Sequence, residues 1–396
     1  MFKISNQGQN IMKYEDFNFN YDYDDEIDLY SSSGKQSATG EYEDISSSSD
    51  NYRAKQSNSN GRNKKKKRRK THKLRNAVII ILCIIAAAVS ALYGYAYKTL
   101  SGMECIPLDE NDLGIETAEY EGVRNIALLG VDSRTDSNTG RSDAIVILTI
   151  DKKHKKIKLT SIARDTYVSV DGHSKDKLTH AYAYGKSQLA VKTLNQNFDL
   201  EIKDYVTMNF FGLARVIDYI GGVTVDVDEK EMKELNQNIF SEMRYLGVEC
   251  PDLTSAGTQL LSGPQAVCYA RIRHTDSDIE RGNRQKEVLT AMFAAVKKMN
   301  PLKLPKVAKM AVSECETSLT ENDIMSLGLW AVFCSPEFEQ LSIPNENVPS
   351  SGKIINGVWY YVYDLNTAKK EIRDYIYEEN YYSAESVAQR AESEEK

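Results

Sequence analysis

The segment NIALLGVDSRTDSNTGRSDAIVILTIDKKHKKIKLTSIA, residues 125–163, contains three short apolar runs separated by polar stretches. The runs are 125–130, 144–150 and 157–163. Their length and their β-branched residues are typical of strands. DKKHKK between the second and third runs is typical of a hairpin turn, and the longer loop 131–143 joins the first two runs in the same way. We therefore predict a three-stranded meander, in which the first strand ends at the edge where the second begins.

Beyond this segment, patterns of helix and strand follow one another toward the C-terminus. The stretch VTVDV at 223–227 alternates as a strand, and Thr320 followed by Asp323 is typical of a helix N-cap. Apolar residues at helical spacing cover 186–198, 210–220, 284–299 and 320–333. The mixture predicts the α/β class, as an α/β/α sandwich with a central mixed sheet.

The N-terminal part of this 396-residue chain has a different composition. Residues 1–75 are polar, contain few aliphatic side chains and end in the basic run KKKKRRKTHKLR, which predicts a disordered tail. Residues 76–97 carry no charge and would be roughly 33 Å long as a helix, enough to span a bilayer. We interpret this stretch as a transmembrane signal anchor, in preference to a buried soluble helix or a cleaved signal peptide.

The basic run lies on the N-terminal side of the predicted span, so the positive-inside rule places residues 1–75 in the cytoplasm. The protein is then expected to cross the cell membrane once, with an outer stalk 98–120, an extracellular catalytic domain 121–380 and an acidic, solvated tail 381–396. We expect no nucleic-acid partner, because a basic run beside a span more commonly sets topology and contacts anionic lipids.

Cysteine usage leaves the disulfide state open. Cys83 lies within the predicted span, and five further cysteines lie outside it. These five are Cys105, Cys250, Cys268, Cys315 and Cys334. One or two disulfides are compatible with this number, but spacing does not choose among the pairings. Neither a CxxC motif nor paired histidines indicate a metal site.

The predicted meander gathers charged residues at one edge of the sheet. They are Asp132, Arg134, Arg141, Asp143, Arg164 and Asp165. The planar guanidinium of arginine matches phosphate oxygens and keeps its charge. Asp132 and Asp143 suit Mg²⁺, which takes one or two carboxylates together with substrate phosphate oxygens. The pattern favours phosphoryl transfer, while surface salt bridges remain the alternative interpretation for each arginine–aspartate pair.

A second cluster of arginines occurs in YARIRHTDSDIERGNRQ, residues 269–285. The letters CYARIR alternate as a strand that would end at Arg271 and Arg273, and a helix is predicted to begin near Arg284. A helix N-terminus favours anions, so this segment is a second candidate for phosphate binding. The alternative is a solvated charge run. The chain shows no Walker-type loop, GxSxG or HExxH motif.

Six ordered blocks give the chain a resemblance to a known family. They are NIALLGVDSR, GRSDAIVILTID, SIARDTYV, DKLTHAYAYG, DYVTMNFFGLARVIDYIGGVTVDV and LSGPQAVCYARIRHTDSDIERGNRQ. In this order they resemble the LytR–CpsA–Psr family over about residues 120–300, and INGVWYYVYD near 355–364 is similar to the closing segment of that family. The resemblance implies a Mg²⁺-dependent phosphotransferase that moves a polyprenyl-pyrophosphate-linked glycopolymer onto peptidoglycan.

Carried over by position, the resemblance also implies roles for individual residues. The groups implied at the reaction centre are Asp132, Arg141, Asp143, Arg164 and Asp165, with Asp132 and Asp143 as metal ligands. The groups implied around the pyrophosphate are Arg134, Lys177, Arg271, Arg273, Arg281, Arg284 and Gln285. One departure is Ala163, where the family often has proline before the Arg-Asp pair.

Several other functions stay open on sequence grounds. A pyrophosphatase would use the same donors with water as acceptor, and a polymer-binding scaffold would need no catalysis. A transcriptional attenuator would need a DNA-binding element in the first 75 residues, where we find no helix-turn-helix pattern. Two helices are candidates for a lipid groove, although core packing explains their apolar residues equally well. These residues are Leu189, Leu194, Phe211, Leu213, Val216 and Ile217.

Overall fold

A computed structural model describes residues 93–115, 120–132, 140–240, 247–272 and 278–377, together with the single positions 83, 87, 90, 91 and 244. The chain divides into two compact units, one of which holds residues 17–91. The other unit holds every described residue from 93 to 377.

Much of the predicted membrane topology lies outside the described residues. This applies to the tail 1–75, to the C-terminal tail 381–396 and to most of the span 76–97. Within the described part of the chain, no helix combines the length and the apolar composition that a membrane crossing requires.

The strands of the described residues form one large sheet and three small ones. They are β1 (Val123–Val131), β2 (Ser142–Asp151), β3 (Lys156–Ile162), β4 (Tyr167–Val168), β5 (Asp176–Lys177), β6 (Ile202–Asn209), β7 (Val223–Val227), β8 (Gly257–Leu261), β9 (Cys315–Thr317), β10 (Glu337–Ile343), β11 (Ser351–Ile355) and β12 (Val358–Val362). The large sheet has the order β10-β3-β2-β1-β6-β9. β1, β2 and β3 pair antiparallel, as predicted, while β6 runs parallel to β1 and β10 parallel to β3.

Nine α-helices lie within the described residues. They are α1 (residues 93–100), α2 (Leu178–Phe198), α3 (Phe210–Tyr219), α4 (Glu229–Glu234), α5 (Gly263–Tyr269), α6 (Asp278–Lys297), α7 (Leu304–Ser313), α8 (Glu321–Cys334) and α9 (Leu365–Tyr377). Short 3₁₀ turns at Glu110–Asp112 and Pro301–Lys303 and a π-helix at Leu235–Ile239 complete the set. Thr320 caps α8 in a capping box with Asp323, as the sequence indicates.

The central sheet is covered on both faces, because alternate residues of a strand point to opposite sides. Ala127 and Leu129 of β1 pack in one buried cluster with residues of α2 and α9. Ile126 and Leu128 face the other way and pack with Trp330 of α8. The mixed sheet therefore lies between two helical layers, in agreement with the predicted α/β class.

A second core lies beside the sheet. The antiparallel pair of β7 and β8 shares one cluster of buried residues, around Ile217, Val225 and Tyr269, with α3, α5 and α6. α6 also packs against β3 and β10, where the rings of Phe293 and Phe338 lie 5.0 Å apart. This helix thus joins the second core to the edge of the central sheet.

The segment predicted as a stalk packs on the domain. Leu100 and Leu113 are buried, and Leu113 belongs to the core that α2 and α9 share. The Ile106 amide donates to the Thr317 carbonyl at 2.9 Å. Residues 100–113 are therefore part of the folded unit, because their leucines find apolar partners there.

Two local predictions around the second arginine cluster are wrong. CYARIR was expected to be a strand, but α5 ends at Tyr269 and a turn follows. α6 begins at Asp278 and not near Arg284. The signal for α5 is present in the sequence, since Ser262 and Gln265 form a capping box and Pro264 lies in its first turn. The six cysteines are all free thiols.

Candidate functional site

The ends of β1 and β2 bring two predicted site residues together at one rim of the sheet. Val131 pairs with Ser142, and the Asp132 amide donates to the Arg141 carbonyl at 3.2 Å. Both Asp132 and Arg141 are exposed to solvent. The meander therefore places these side chains at the same edge, next to Asp143, as the alternation of the strands predicted.

A connected set of charges continues from this rim across the end of β3. The Nη1 of Arg164 lies 2.7 Å from the Oδ1 of Asp143, and its Nε lies 3.4 Å from the Oδ2 of Asp165. The Nζ of Lys177 lies 2.8 Å from the Oδ1 of Asp165. The four side chains are no more than 19% exposed, so their mutual attraction is stronger than that of surface pairs.

The backbone around Arg164 is held by several hydrogen bonds from other elements. The Thr179 amide at the start of α2 donates to the Arg164 carbonyl at 3.0 Å. The Thr179 hydroxyl donates to the Ser142 carbonyl at 2.9 Å, which ties the same helix to β2. The Tyr361 amide of β12 donates to the Asp165 carbonyl at 2.9 Å. Together these bonds fix the direction of the Arg164 and Asp165 side chains.

A cleft opens between this charged rim and α6. Its lining residues are Asp143, Ile145, Ser161, Ile162, Ala163, Arg164, Ile279, Arg281, Gly282, Gln285, Ser342 and Ile343. Its empty volume is about 330 Å³. Gly282 allows α6 to approach β3, since a Cβ there would lie only 3.2 Å from the Ser161 Oγ. Arg281 and Gln285, one helical turn apart, thereby face Asp143 and Arg164 across the cleft.

Arg271, from a different part of the chain, lies near the same edge of the sheet. Its guanidinium lies over the ring of Phe210, 5.1 Å from the centroid. Phe210 follows Asn209, which pairs with Val131 at the C-terminal end of β1. Because β1 and β6 are parallel, this places Arg271 at the end of the sheet where Asp132 lies. The predicted site residues Arg134 and Arg273 lie outside the described residues.

Arg284 does not line the cleft. Its Nη1 lies 3.0 Å from the Oε1 of Glu231 in α4, and its Nη2 donates to the Ile272 carbonyl at 3.4 Å. The side chain is 5% exposed. Because α6 begins at Asp278, position 284 faces the second core while positions 281 and 285 face the cleft. In this structure Arg284 forms a buried ion pair, and its role in pyrophosphate binding stays a prediction from the sequence.

The predicted Mg²⁺ ligands, Asp132 and Asp143, flank the junction of β1 and β2. Among the described histidine, cysteine, aspartate and glutamate residues, no group of three comes close enough to hold a metal ion. The protein alone thus does not supply a complete coordination shell in these regions. Two carboxylates at the mouth of a cation-lined cleft still fit Mg²⁺, which draws its other ligands from substrate phosphate and water.

Sequence reasoning missed Asp176, which organises the residues around Lys177. Its Oδ2 accepts from Tyr184 Oη at 2.6 Å and from His180 Nδ1 at 2.8 Å. Its Oδ1 accepts from the Lys177 amide at 2.8 Å and from Tyr360 Oη at 3.3 Å. Partial burial alone would raise the pKa of Asp176, but the hydrogen bonds from Tyr184, His180 and the Lys177 amide lower it to about 2. The spacing of 176, 180 and 184 by four residues is the sequence signal that could have found this group.

The two helices predicted to line a lipid groove belong to different cores. Leu194 of α2 is buried with α9, and Leu189 packs against the same cluster. Ile217 of α3 is buried in the second core, where Phe211 and Leu213 also pack. For these side chains the structure favours the alternative interpretation, ordinary core packing.

The chain is similar to known proteins over most of its length. The model of the LytR_cpsA_psr family matches residues 91–374. The chain is 27% identical over 304 residues to TagU of Halalkalibacterium halodurans, named polyisoprenyl-teichoic acid–peptidoglycan teichoic acid transferase. That alignment covers 73% of this chain and 93% of the relative.

Two solved structures have the same fold. One, described as TagT bound to LIIa-WTA, is 28% identical, has a TM-score of 0.55 and is matched over 68% of this chain and 98% of its own. The other is the LytR-CPS2A-psr family protein YwtF (TagT) with bound octaprenyl pyrophosphate lipid, at 27% identity, a TM-score of 0.51 and the same coverage. With a family match over most of its length, this chain belongs to the LytR–CpsA–Psr family.

Proposed function

We propose that this protein is a membrane-anchored phosphotransferase that moves a glycopolymer from polyprenyl pyrophosphate onto peptidoglycan through a phosphodiester bond. The observation that carries the proposal is the connected set of charges from Asp143 through Arg164 and Asp165 to Lys177, of which Asp143 and Arg164 line an open cleft together with Arg281. Its relatives include proteins named as teichoic acid transferases and one solved with octaprenyl pyrophosphate.

The arginines are suited to the charge of a pyrophosphate. Arg164 and Arg281 lie on opposite walls of the cleft, so an anion between them would contact both guanidinium groups. The ion pairs of Arg164 hold its guanidinium in place before substrate binds. A donor that is already oriented stabilises developing negative charge without a further cost of reorganisation.

The proposed reaction exchanges one phosphorus–oxygen bond for another. An acceptor hydroxyl loses its proton, and its oxygen bonds to the phosphorus nearest the saccharide. The bond from that phosphorus to the bridging oxygen breaks, and polyprenyl monophosphate leaves with the electron pair and, in the net reaction, with the proton that the hydroxyl lost. The product carries the saccharide joined to the acceptor by a phosphodiester.

Mg²⁺ is part of the proposal as a group that neutralises phosphate charge. Asp132 and Asp143 would hold it at the mouth of the cleft. The ion pair of Asp143 with Arg164 restricts the position of that carboxylate.

Membrane anchoring by residues 76–97, with the catalytic domain outside the cell, is proposed from the sequence. The uncharged stretch and the basic run before it support this orientation. A lipid-linked donor remains in the bilayer, so an anchored enzyme reaches it by diffusion in the membrane plane.

The proposal is tested with the full-length protein, Mg²⁺, a short polyprenyl-pyrophosphate saccharide and peptidoglycan oligomers. Mass spectrometry detects the saccharide joined to glycan by a phosphodiester, and Asp143→Ala and Arg164→Ala are expected to abolish this product. Free saccharide phosphate without joined product would instead identify a pyrophosphatase. Binding of the donor without turnover would identify a scaffold.

A further inference from the structure

We propose that the rings of Tyr184 and His173 form a shelf that binds the saccharide unit attached directly to the donor pyrophosphate. This inference rests on the proposed function, because it takes the cleft beside Lys177 as the pyrophosphate site. It assigns the sugar-contacting role to residues outside the charged rim.

The shelf is a pair of stacked rings at the surface. The centroids of Tyr184 and His173 lie 4.3 Å apart with an angle of 15° between the ring planes. Tyr184 remains 47% exposed and His173 is also exposed, so the stack does not serve to bury apolar area. Two stacked rings at the surface offer a flat apolar face on which a ligand can stack.

Asp176 holds the shelf in a fixed orientation. The Tyr184 hydroxyl donates to its Oδ2 at 2.6 Å, and His180 contacts the same oxygen at 2.8 Å. The ring of His180 lies edge-on to Tyr184, with 6.0 Å between centroids. The low pKa of Asp176 follows from these bonds and keeps it an acceptor at physiological pH. A ring fixed in this way loses little conformational entropy when a ligand stacks on it.

The shelf is continuous with the charged rim. Asp176 precedes Lys177, whose Nζ lies 2.8 Å from Asp165. The pKa of Tyr184 is raised mainly by its hydrogen bond to Asp176, while the nearby charge of Arg141 acts in the opposite direction. Arg141 lies on the same side of the site, because it precedes Ser142, whose carbonyl accepts a hydrogen bond from the Thr179 hydroxyl in the first turn of α2. A group bound on the shelf would lie next to a phosphate held by Arg141 and Lys177.

A sugar fits this arrangement better than a prenyl chain does. A pyranose has a flat face of C–H groups that can lie on an aromatic ring, and hydroxyls at its edge that need polar neighbours. The shelf supplies two rings, with Asp176, His180 and Arg141 around them. A prenyl chain would need a continuous apolar groove, and these charged groups would be desolvated against it at a cost.

The test compares ligands that differ only in the sugar. Affinities of the full-length protein are measured for a polyprenyl pyrophosphate with a disaccharide, for the same lipid pyrophosphate without sugar, and for the free disaccharide at millimolar concentration. The variants are Tyr184→Leu, Tyr184→Phe and, as a matched control, Tyr120→Leu. Tyr120 is also an exposed tyrosine stacked on another ring, that of Tyr377, but it precedes β1 at its opposite end.

We expect Tyr184→Leu to weaken binding of the saccharide-bearing lipid about tenfold and to change binding of the sugar-free lipid by less than about twofold. Tyr184→Phe keeps the ring but loses the hydrogen bond to Asp176, so it is expected to weaken binding of the saccharide-bearing lipid by less than Tyr184→Leu does. Tyr120→Leu is expected to bind both lipids like the wild type. An equal effect of Tyr184→Leu on both lipids, or none on either, overturns the shelf and leaves the proposed donor intact. If the wild type binds neither lipid, the proposed function fails, and the free disaccharide then decides the shelf: Tyr184-dependent binding upholds it and absence of binding overturns it.

Discussion

The Nη1 of Arg164 lies 2.7 Å from the Oδ1 of Asp143, so one ion pair joins the second residue after β3 to the second residue of β2. The same guanidinium reaches Asp165 through its Nε at 3.4 Å. Arg164 thus makes one short ion pair with Asp143 and one longer charge contact with Asp165. Lysine would keep the positive charge at this position but not the planar group that can contact a carboxylate and a phosphate at the same time.

Arg164→Ala is expected to lower the transfer rate by about a hundredfold or more, the usual cost of losing one preorganised donor to a developing negative charge. Arg164→Lys should recover less than about a tenth of the lost activity, because it restores charge without the planar fork. The rate of phosphodiester formation, measured by mass spectrometry of the joined product, checks both variants.

Arg244→Ala is the matched control for this experiment. Arg244 also forms an ion pair, with Asp252 at 2.7 Å, but both side chains are substantially exposed. Its loss should leave the transfer rate unchanged and alter the free energy of unfolding by no more than about 1 kcal/mol. Equal loss of activity in Arg164→Ala and Arg244→Ala would contradict the role given to Arg164.

The meander could be predicted because its signals are local. β1, β2 and β3 are short β-branched runs, and the turn between β2 and β3 is the charged stretch DKKHKK. The antiparallel alternation of these strands was then enough to predict that four charged residues lie at one rim, namely Asp132, Arg141, Asp143 and Arg164. Local sequence thus determines this part of the candidate site.

The helices around the second arginine cluster were not predicted, because two signals competed there. The alternation in CYARIR favoured a strand, while the Ser262–Gln265 capping box favoured a helix. Helix α5 has seven residues, too few for a 3.6-residue period to stand out from alternation by chance. The pairing of Arg284 with Glu231 could not be predicted either, because it depends on how α6 packs against α4, a contact between segments 53 residues apart.

Asp176→Asn is expected to lower the free energy of unfolding at neutral pH and to make it less dependent on pH in the acidic range. The pKa of Asp176 is about 2 in the folded protein and near its ordinary value of 3.8 when unfolded. A lowered pKa gives stability that is present above about pH 4 and is lost as the pH falls toward 2. Wild type should therefore exceed Asp176→Asn by roughly 1 kcal/mol at pH 7, and the difference should shrink below pH 4.

Urea denaturation of both proteins between pH 7 and pH 2.5 measures this difference directly. The comparison uses the gap between the two curves, since other carboxylates alter both proteins alike. A gap that stays constant across this range, or that widens in acid, would contradict the lowered pKa of Asp176.

Arg284→Met is expected to destabilise the fold by about 3–5 kcal/mol, because Glu231 loses the charge that pairs with it in a buried position. Burial raises the pKa of Glu231 even when Arg284 is present. Protonation of this carboxyl at low pH should therefore reduce the loss of stability in Arg284→Met. Chemical denaturation gives the free energy of unfolding.

Arg271→Met provides the contrast to Arg284→Met. Arg271 is partly exposed over the Phe210 ring, so its loss should cost less than about 1 kcal/mol of stability while reducing transfer. The double variant Arg284→Met with Glu231→Gln should be more stable than Arg284→Met alone, since no buried charge remains. A double variant that is no more stable than Arg284→Met would contradict the explanation by a buried ion pair.

Lys158→Met is expected to destabilise the fold by about 2–4 kcal/mol, because the lost ammonium satisfies several buried groups at once. Its Nζ donates to the carbonyls of Tyr375 and Ile376 at 2.9 and 3.0 Å and lies 3.5 Å from Asp151 Oδ2. Methionine fills the same volume but leaves the last turn of α9 without these donors.

Lys156→Met, on the same strand, is the control. It removes only a half-exposed pair with Glu339 and should cost no more than about 1 kcal/mol. Thermal and urea unfolding measure the loss of stability in the two variants. Equal losses would contradict the role given to Lys158 and would mean that water replaces it as the donor to the α9 carbonyls.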